Sequence, residues 1–123
     1  MNDEVETQPE SIDEDLDAED EVRVLLINRR EVVRRGLRAV IEDSDDVVVV
    51  GDAARLDDTG RMIDRTELDV AILDATEPTA RIVDTVDTIR RVQANVPVLV
   101  HGRTDAEEAK RIAWAAGADG YLL

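Results

Sequence analysis

The chain has 123 residues, enough for one domain and too few for two ordinary ones. It has no cysteine, which excludes disulfides and thiolate metal sites, and no apolar run near the roughly 20 residues that a membrane helix needs. Of the formal charge of −15, residues 1–21 carry 11 acids and no base; residues 22–123 hold 19 acids and 15 bases, a mildly acidic surface that repels phosphate backbones. Neither nucleic acid nor membrane is therefore an expected partner of this segment. An acidic start with no basic-then-apolar leader predicts a cytoplasmic location.

Residues 1–21 combine low hydrophobicity with one sign of charge, the pattern of a disordered acidic tail. The sharper alternative is an arm that folds back onto bases such as Arg30, Arg34, Arg35 and Arg38. Val22 to Ile27 reads as a buried strand, and Asn28-Arg29-Arg30 as the loop into a helix. In that helix Val33, Leu37, Val40 and Ile41 form one apolar stripe, with Arg34, Arg35 and Arg38 facing away. Val47 to Val50 is β-branched throughout and predicts a second strand, closed by Gly51.

A weaker helix is predicted over 53–66, with Leu56 and Ile63 on one face and Gly60 weakening its middle. Leu68 to Asp74 is the third strand, an apolar run that delivers one carboxylate to a loop. After Pro78, Ile82, Val86 and Ile89 repeat at helical spacing with Val83 beside them. Val96 to Val100 predicts a fourth strand, with Pro97 tolerable only near its start. Asp105 to Ala116 predicts a helix with Ile112, Ala113 and Ala116 inward and Gly117 as its stop. Gly120 to Leu123 begins a fifth strand. Alternating strands and helices at this spacing predict an α/β fold with a parallel sheet and right-handed crossovers. Sites in such sheets form beyond the strand C-terminal ends, where Asn28, Asp74, His101 and Gly102 stand.

The stretches VRVLLINRREVVRRGLRAVIE, VVVVGDAA, DVAILDATEP and AAGADGYLL, in this order and spacing, resemble the receiver domains of two-component response regulators. The likeness is closest to the subgroup usually linked to a helix-turn-helix output domain, and it covers residues 22–123. It implies a doubly wound, flavodoxin-like sheet of order 2-1-3-4-5. It also implies phosphoryl transfer to Asp74, with Pro78 matching the family's proline. In the family an acidic pair after the first strand helps hold Mg²⁺, a hydroxyl residue follows the fourth strand, and a lysine follows the fifth.

Here the acidic pair is Asn28-Arg29, and Gly102, preceded by His101, occupies the hydroxyl position. The lysine position lies beyond Leu123, while Tyr121 matches the family's switch aromatic. A pair worth about −2 becomes an amide and a cation, so these positions and Asp74 together carry about zero charge. Two unit charges ~4 Å apart interact by ~4 kcal/mol at an effective dielectric near 20, before desolvation. Arg29 therefore opposes a cation at that point, and an Arg29–Asp74 ion pair is an expectation.

The reading that follows is a pseudo-receiver: a non-enzymatic module acting through protein contacts, with a protein partner or a second copy, and with no metal or other cofactor. The alternatives are a working receiver that uses Mg²⁺ and Asp74, and a small-ligand binder using the strand-end crevice. No other catalytic pattern is present, neither a glycine-rich phosphate loop nor a supported Ser/His/Asp set. The family's fifth helix is missing from the sequence. This predicts a C-terminally incomplete domain, or an apolar strip on the sheet covered by another chain, and leaves room for a DNA-binding output domain beyond residue 123.

Overall fold

The computed structural model describes residues 21–102 and 107–123. The acidic segment and the first two residues of the predicted 105–116 helix lie outside them. Five strands form one sheet of order β2-β1-β3-β4-β5: β1 (Val22–Ile27), β2 (Val47–Ala53), β3 (Val70–Asp74), β4 (Val98–His101) and β5 (Gly120–Leu122). All four ladders are parallel. The helices are α1 (Glu31–Ile41), α2 (Thr59–Ile63), α3 (Thr79–Val92) and α4 (Glu107–Ala115). The doubly wound flavodoxin-like architecture read from the sequence is the one observed.

The larger core lies on one face of the sheet. Leu25, Ile27, Ala71, Leu73, Val98 and Val100 point into it, against Ile82, Val86 and Ile89 of α3 and Ala113 of α4. Full burial of each Leu- or Ile-sized side chain contributes about 1.5–3 kcal/mol, so these alternate strand positions are the main source of stability. The opposite face buries Val24, Leu26, Val49 and Ile72, with Leu37 and Ile41 of α1 against them. On that face Leu99 is half-buried and its Cδ2 lies 2.6 Å from where a Cβ at Gly120 would stand, so a leucine lies in the space the glycine leaves. Leu122 and Leu123 are exposed.

Several boundaries differ from the sequence reading. β2 runs through Gly51 to Ala53. Its ladder with β1 pairs Val24 with Val49 and then Leu25 with Gly51, skipping Val50. Gly51 thus marks a bulge rather than a strand end. The Met62 Cε lies 2.7 Å from the position a Cβ would take there, so the missing side chain makes room for α2. The predicted 53–66 helix contracts to a 3-10 turn (Leu56–Asp58) and the five residues of α2. Leu68 precedes β3, its N–H donating to the Gln93 side-chain oxygen at 2.9 Å, and Val96 and Pro97 precede β4.

Two inward assignments are corrected. Val40 is 74% exposed, because α1 is rotated toward its arginine side. Arg34, expected to face away, is half-buried with its guanidinium on the Asn28 carbonyl at 2.8 Å, and Arg38 reaches Asp52 of β2 at 2.7 Å. In α4 the contact runs through Ala113, with Ala116 just past the helix end and half-buried Ala109 one turn earlier, which leaves Ile112 at the rim, 39% exposed.

Candidate functional site at the strand ends

β1 and β3 are neighbours in the sheet, so the residues that follow them emerge side by side at its C-terminal edge. Asn28 follows β1 directly and is 1% exposed. Its N–H donates to the Ala53 carbonyl at 3.0 Å, and its side-chain oxygen accepts the Arg30 N–H at 3.0 Å. The asparagine therefore closes the turn into α1, as short polar side chains do when they bond the backbone two residues on. Arg29, next to it, is exposed.

Asp74 ends β3 and is 2% exposed. Its Oδ1 accepts two bonds from Thr76, from the backbone N–H at 2.9 Å and from the hydroxyl at 2.8 Å. Its Oδ2 is buried without a hydrogen-bond partner among the described residues. Thr76 was not singled out by sequence reasoning, although an Asp followed two residues later by a residue with a free N–H is the signature of this turn. Arg29 does not pair with Asp74. Its Nε lies 3.9 Å from the Glu77 carboxylate, a second residue the sequence did not single out. Glu77 stands on the same loop, its N–H directed at the Asp74 carbonyl at 3.3 Å, and its largely buried carboxylate is the one that faces Arg29.

Pro78 sets the start of α3, its carbonyl accepting the N–H groups of Arg81 and Ile82 at 2.9 and 3.2 Å. His101 lies opposite Asp74 in the β3–β4 ladder, is half-buried, and accepts the Ala75 N–H on its carbonyl at 2.9 Å. Gly102 is buried, and its N–H donates to the Leu122 carbonyl at 2.9 Å. A Cβ on it would lie 2.0 Å from the Tyr121 Oη and 2.7 Å from Cζ. The tyrosine ring therefore lies in the volume a side chain at 102 would fill. Asn28, Asp74, His101 and Gly102 share one edge of the sheet, and Tyr121 reaches that edge through Gly102.

A hard divalent cation takes several oxygen ligands, preferably charged ones. Among the described residues no group of three or more His, Cys, Asp or Glu is placed to hold a metal ion. Asp74 is the single carboxylate at the strand end, the Asn28 oxygen is committed to its turn, and Glu77 is engaged by a guanidinium. These residues do not fit the Mg²⁺ that the family resemblance implies. What they form is a buried carboxylate with one oxygen satisfied locally and one available to a donor.

That arrangement has a measurable consequence. A buried carboxylate with one oxygen unmet among the described residues costs stability chiefly because its charge is taken out of water without a paired cation. Asp74→Asn keeps an acceptor for Thr76 and removes the charge, and is expected to stabilise the fold by about 1 kcal/mol in urea denaturation. A loss of stability of that size would show that Oδ2 is well satisfied.

No helix among the described residues is long and apolar enough to cross a membrane. The family profile described as the response regulator receiver domain matches residues 24–123. The chain is 29% identical over 100 residues to the nitrate/nitrite response regulator protein NarL of Escherichia coli K12, covering 81% of this chain and 46% of that protein. It is 31% identical over 105 residues to the nitrate/nitrite response regulator protein homolog of Haemophilus influenzae, covering 85% and 50%. The chain thus spans about half the length of these curated relatives. Among solved structures, the signal receiver domain of the putative response regulator NarL from Mycobacterium tuberculosis superposes with a TM-score of 0.72 at 27% identity, covering 85% of this chain and 84% of that one. Sheet order, strand-end aspartate and these matches agree: the chain belongs to the receiver domain family of two-component response regulators.

Proposed function

We propose that this receiver domain acts as a protein-interaction module whose state is set without Mg²⁺-dependent phosphorylation of Asp74. The observation that carries the reading is the ligand set around Asp74. Asn28 is spent on the turn into α1, Arg29 places a cation beside the loop, and Glu77 is paired with it. The loss of the hydroxyl at Gly102, whose space the Tyr121 ring takes, supports the same reading. The partner is a protein or a second copy of the chain. Exposed apolar side chains on α1 and α4, Val32 at 83% and Trp114 at 50%, are candidate contacts. The matched stretch is about half of each relative, which supports a place within a longer transcription-regulatory protein with a DNA-binding output domain.

One observation favours the alternative, a phosphorylatable receiver: the Oδ2 of Asp74, without a hydrogen-bond partner among the described residues, is a carboxylate oxygen available for reaction. Incubation with acetyl phosphate and Mg²⁺ followed by intact-mass measurement separates the two. The proposal expects unchanged mass. A phosphoryl adduct that needs Mg²⁺ and disappears in Asp74→Asn would establish the alternative.

A further inference from the structure

We propose that the crevice at the C-terminal edge of the sheet, on the β2 side and walled by Arg29, Glu77 and Pro78, binds a small multiply charged anion of the phosphate or polyphosphate class. Three successive crossovers each deliver one guanidinium to it: Arg29 after β1, Arg55 after β2, and Arg81 from the first turn of α3 after β3. Its volume is about 380 Å³, and Ala54, Leu56 and Pro78 supply the apolar part of its wall. The chain runs from β1 to β2 on one side and from β3 to β4 on the other, so this edge is the switch point of the strand order, where doubly wound sheets hold ligands.

The charges favour an anion. The acids beside the three guanidinium groups are Asp57, which accepts from Arg55 Nη2 and Arg81 Nη1 at 3.3 Å each, and Glu77, at 3.9 Å from Arg29 Nε. The set therefore carries a net positive charge on a chain whose formal charge is −15. These contacts are long, and each occupies one nitrogen of its arginine. A guanidinium offers five N–H donors in a planar fork that matches the oxygens of phosphate, so most of the donor capacity stays available. The inference is independent of whether Asp74 is phosphorylated, because none of these three side chains needs Asp74 to hold an anion.

The test is a titration of the full ¹⁵N-labelled chain with inorganic pyrophosphate at constant ionic strength. Saturable shifts confined to Arg29 and residues 54–56 and 77–81 are expected. The exposed pair Arg55→Gln with Arg81→Gln is expected to weaken binding about tenfold or more, as lost charge-assisted hydrogen bonds do. Arg91→Gln, exposed on the last turn of α3, should leave it within about twofold. Non-saturating shifts, equal shifts at Arg91 and Arg111, or a double variant that binds like the native chain would overturn the proposal. So would a response to deleting residues 1–21 at these amides with no response to pyrophosphate, since the acidic segment would then be the occupant.

Discussion

Replacing Asn28 and Arg29 together by aspartate is expected to create a Mg²⁺ site where no group of three or more His, Cys, Asp or Glu is placed to hold a metal among the described residues. The substitution takes the three strand-end positions from a charge of about zero to about −3 and removes the partner of Glu77. The attraction, ~4 kcal/mol per pair of unit charges and so ~8 kcal/mol between Mg²⁺ and one carboxylate at ~4 Å and an effective dielectric near 20, is gross, and dehydration of Mg²⁺ offsets much of it. A dissociation constant on the order of 1 mM is the expected result. Aspartate at 28 still accepts the Arg30 N–H, so the turn into α1 is kept. Without metal the double variant should be less stable than the native chain by about 1–2 kcal/mol, from like charges brought together. Mg²⁺ should restore part of that loss through preferential binding to the folded state. Thermal unfolding with and without 10-fold excess metal over that constant reads both effects. If the variant gains no more from Mg²⁺ than the native chain does, the missing carboxylates are not what distinguishes this site.

The second large effect is expected at Gly102. Threonine there restores a hydroxyl but places a Cβ 2.0 Å from the Tyr121 Oη, far inside van der Waals contact. The obstacle is the outer end of a side chain, so the ring is expected to turn out of its site rather than the sheet to break. Overpacking of this kind costs about 1–3 kcal/mol. Trp114 and Tyr121 are the only Trp, Tyr or Phe residues, so near-ultraviolet circular dichroism reports on these two side chains alone. Gly102→Thr should lower stability and change that signal, and in a Tyr121→Ala background the same substitution should cost less, a coupling of about 0.5–3 kcal/mol. A native-like tyrosine signal with full stability would mean that Tyr121 does not lie in the space above Gly102.

Much of the fold was legible because strands buried on both faces leave an unmistakable mark. VRVLLI and VAILD are apolar at nearly every position, and the turns between strand and helix are polar. The placement of Asp74 at a buried edge followed from that pattern alone. The phase of α1 was not legible. Val40 belongs to an apolar stripe by spacing, but Arg34 anchors the helix on the Asn28 carbonyl and turns Val40 to solvent. A long-range bond from a side chain to a backbone carbonyl leaves no periodic trace. The same holds for Gly51, which reads as a strand end and is a bulge into which Met62 packs.

The candidate site was legible as a set of positions and not as a set of contacts. Asn28, Asp74, His101 and Gly102 could be placed on one edge from strand ends. The partners could not, because charges choose the geometrically nearest counter-charge rather than the one sequence logic suggests. Arg29 follows β1 and Glu77 follows β3, and the two face each other, while Asp74 is bonded by Thr76. The resulting pocket keeps a carboxylate at the family's acceptor position and places Asn28, Arg29 and Gly102 at three of the positions around it.

On the function proposed above, the Asp74 pocket does not assemble the metal-dependent state. Beryllofluoride with Mg²⁺ mimics a phosphoryl group held by a carboxylate and a cation, and an amide spectrum of the native chain reports it directly. The amides of Asp74, Thr76 and Gly102 are expected to move no further than salt of equal ionic strength moves them. New, saturating positions for those three amides that require both beryllofluoride and Mg²⁺ would contradict the proposed function.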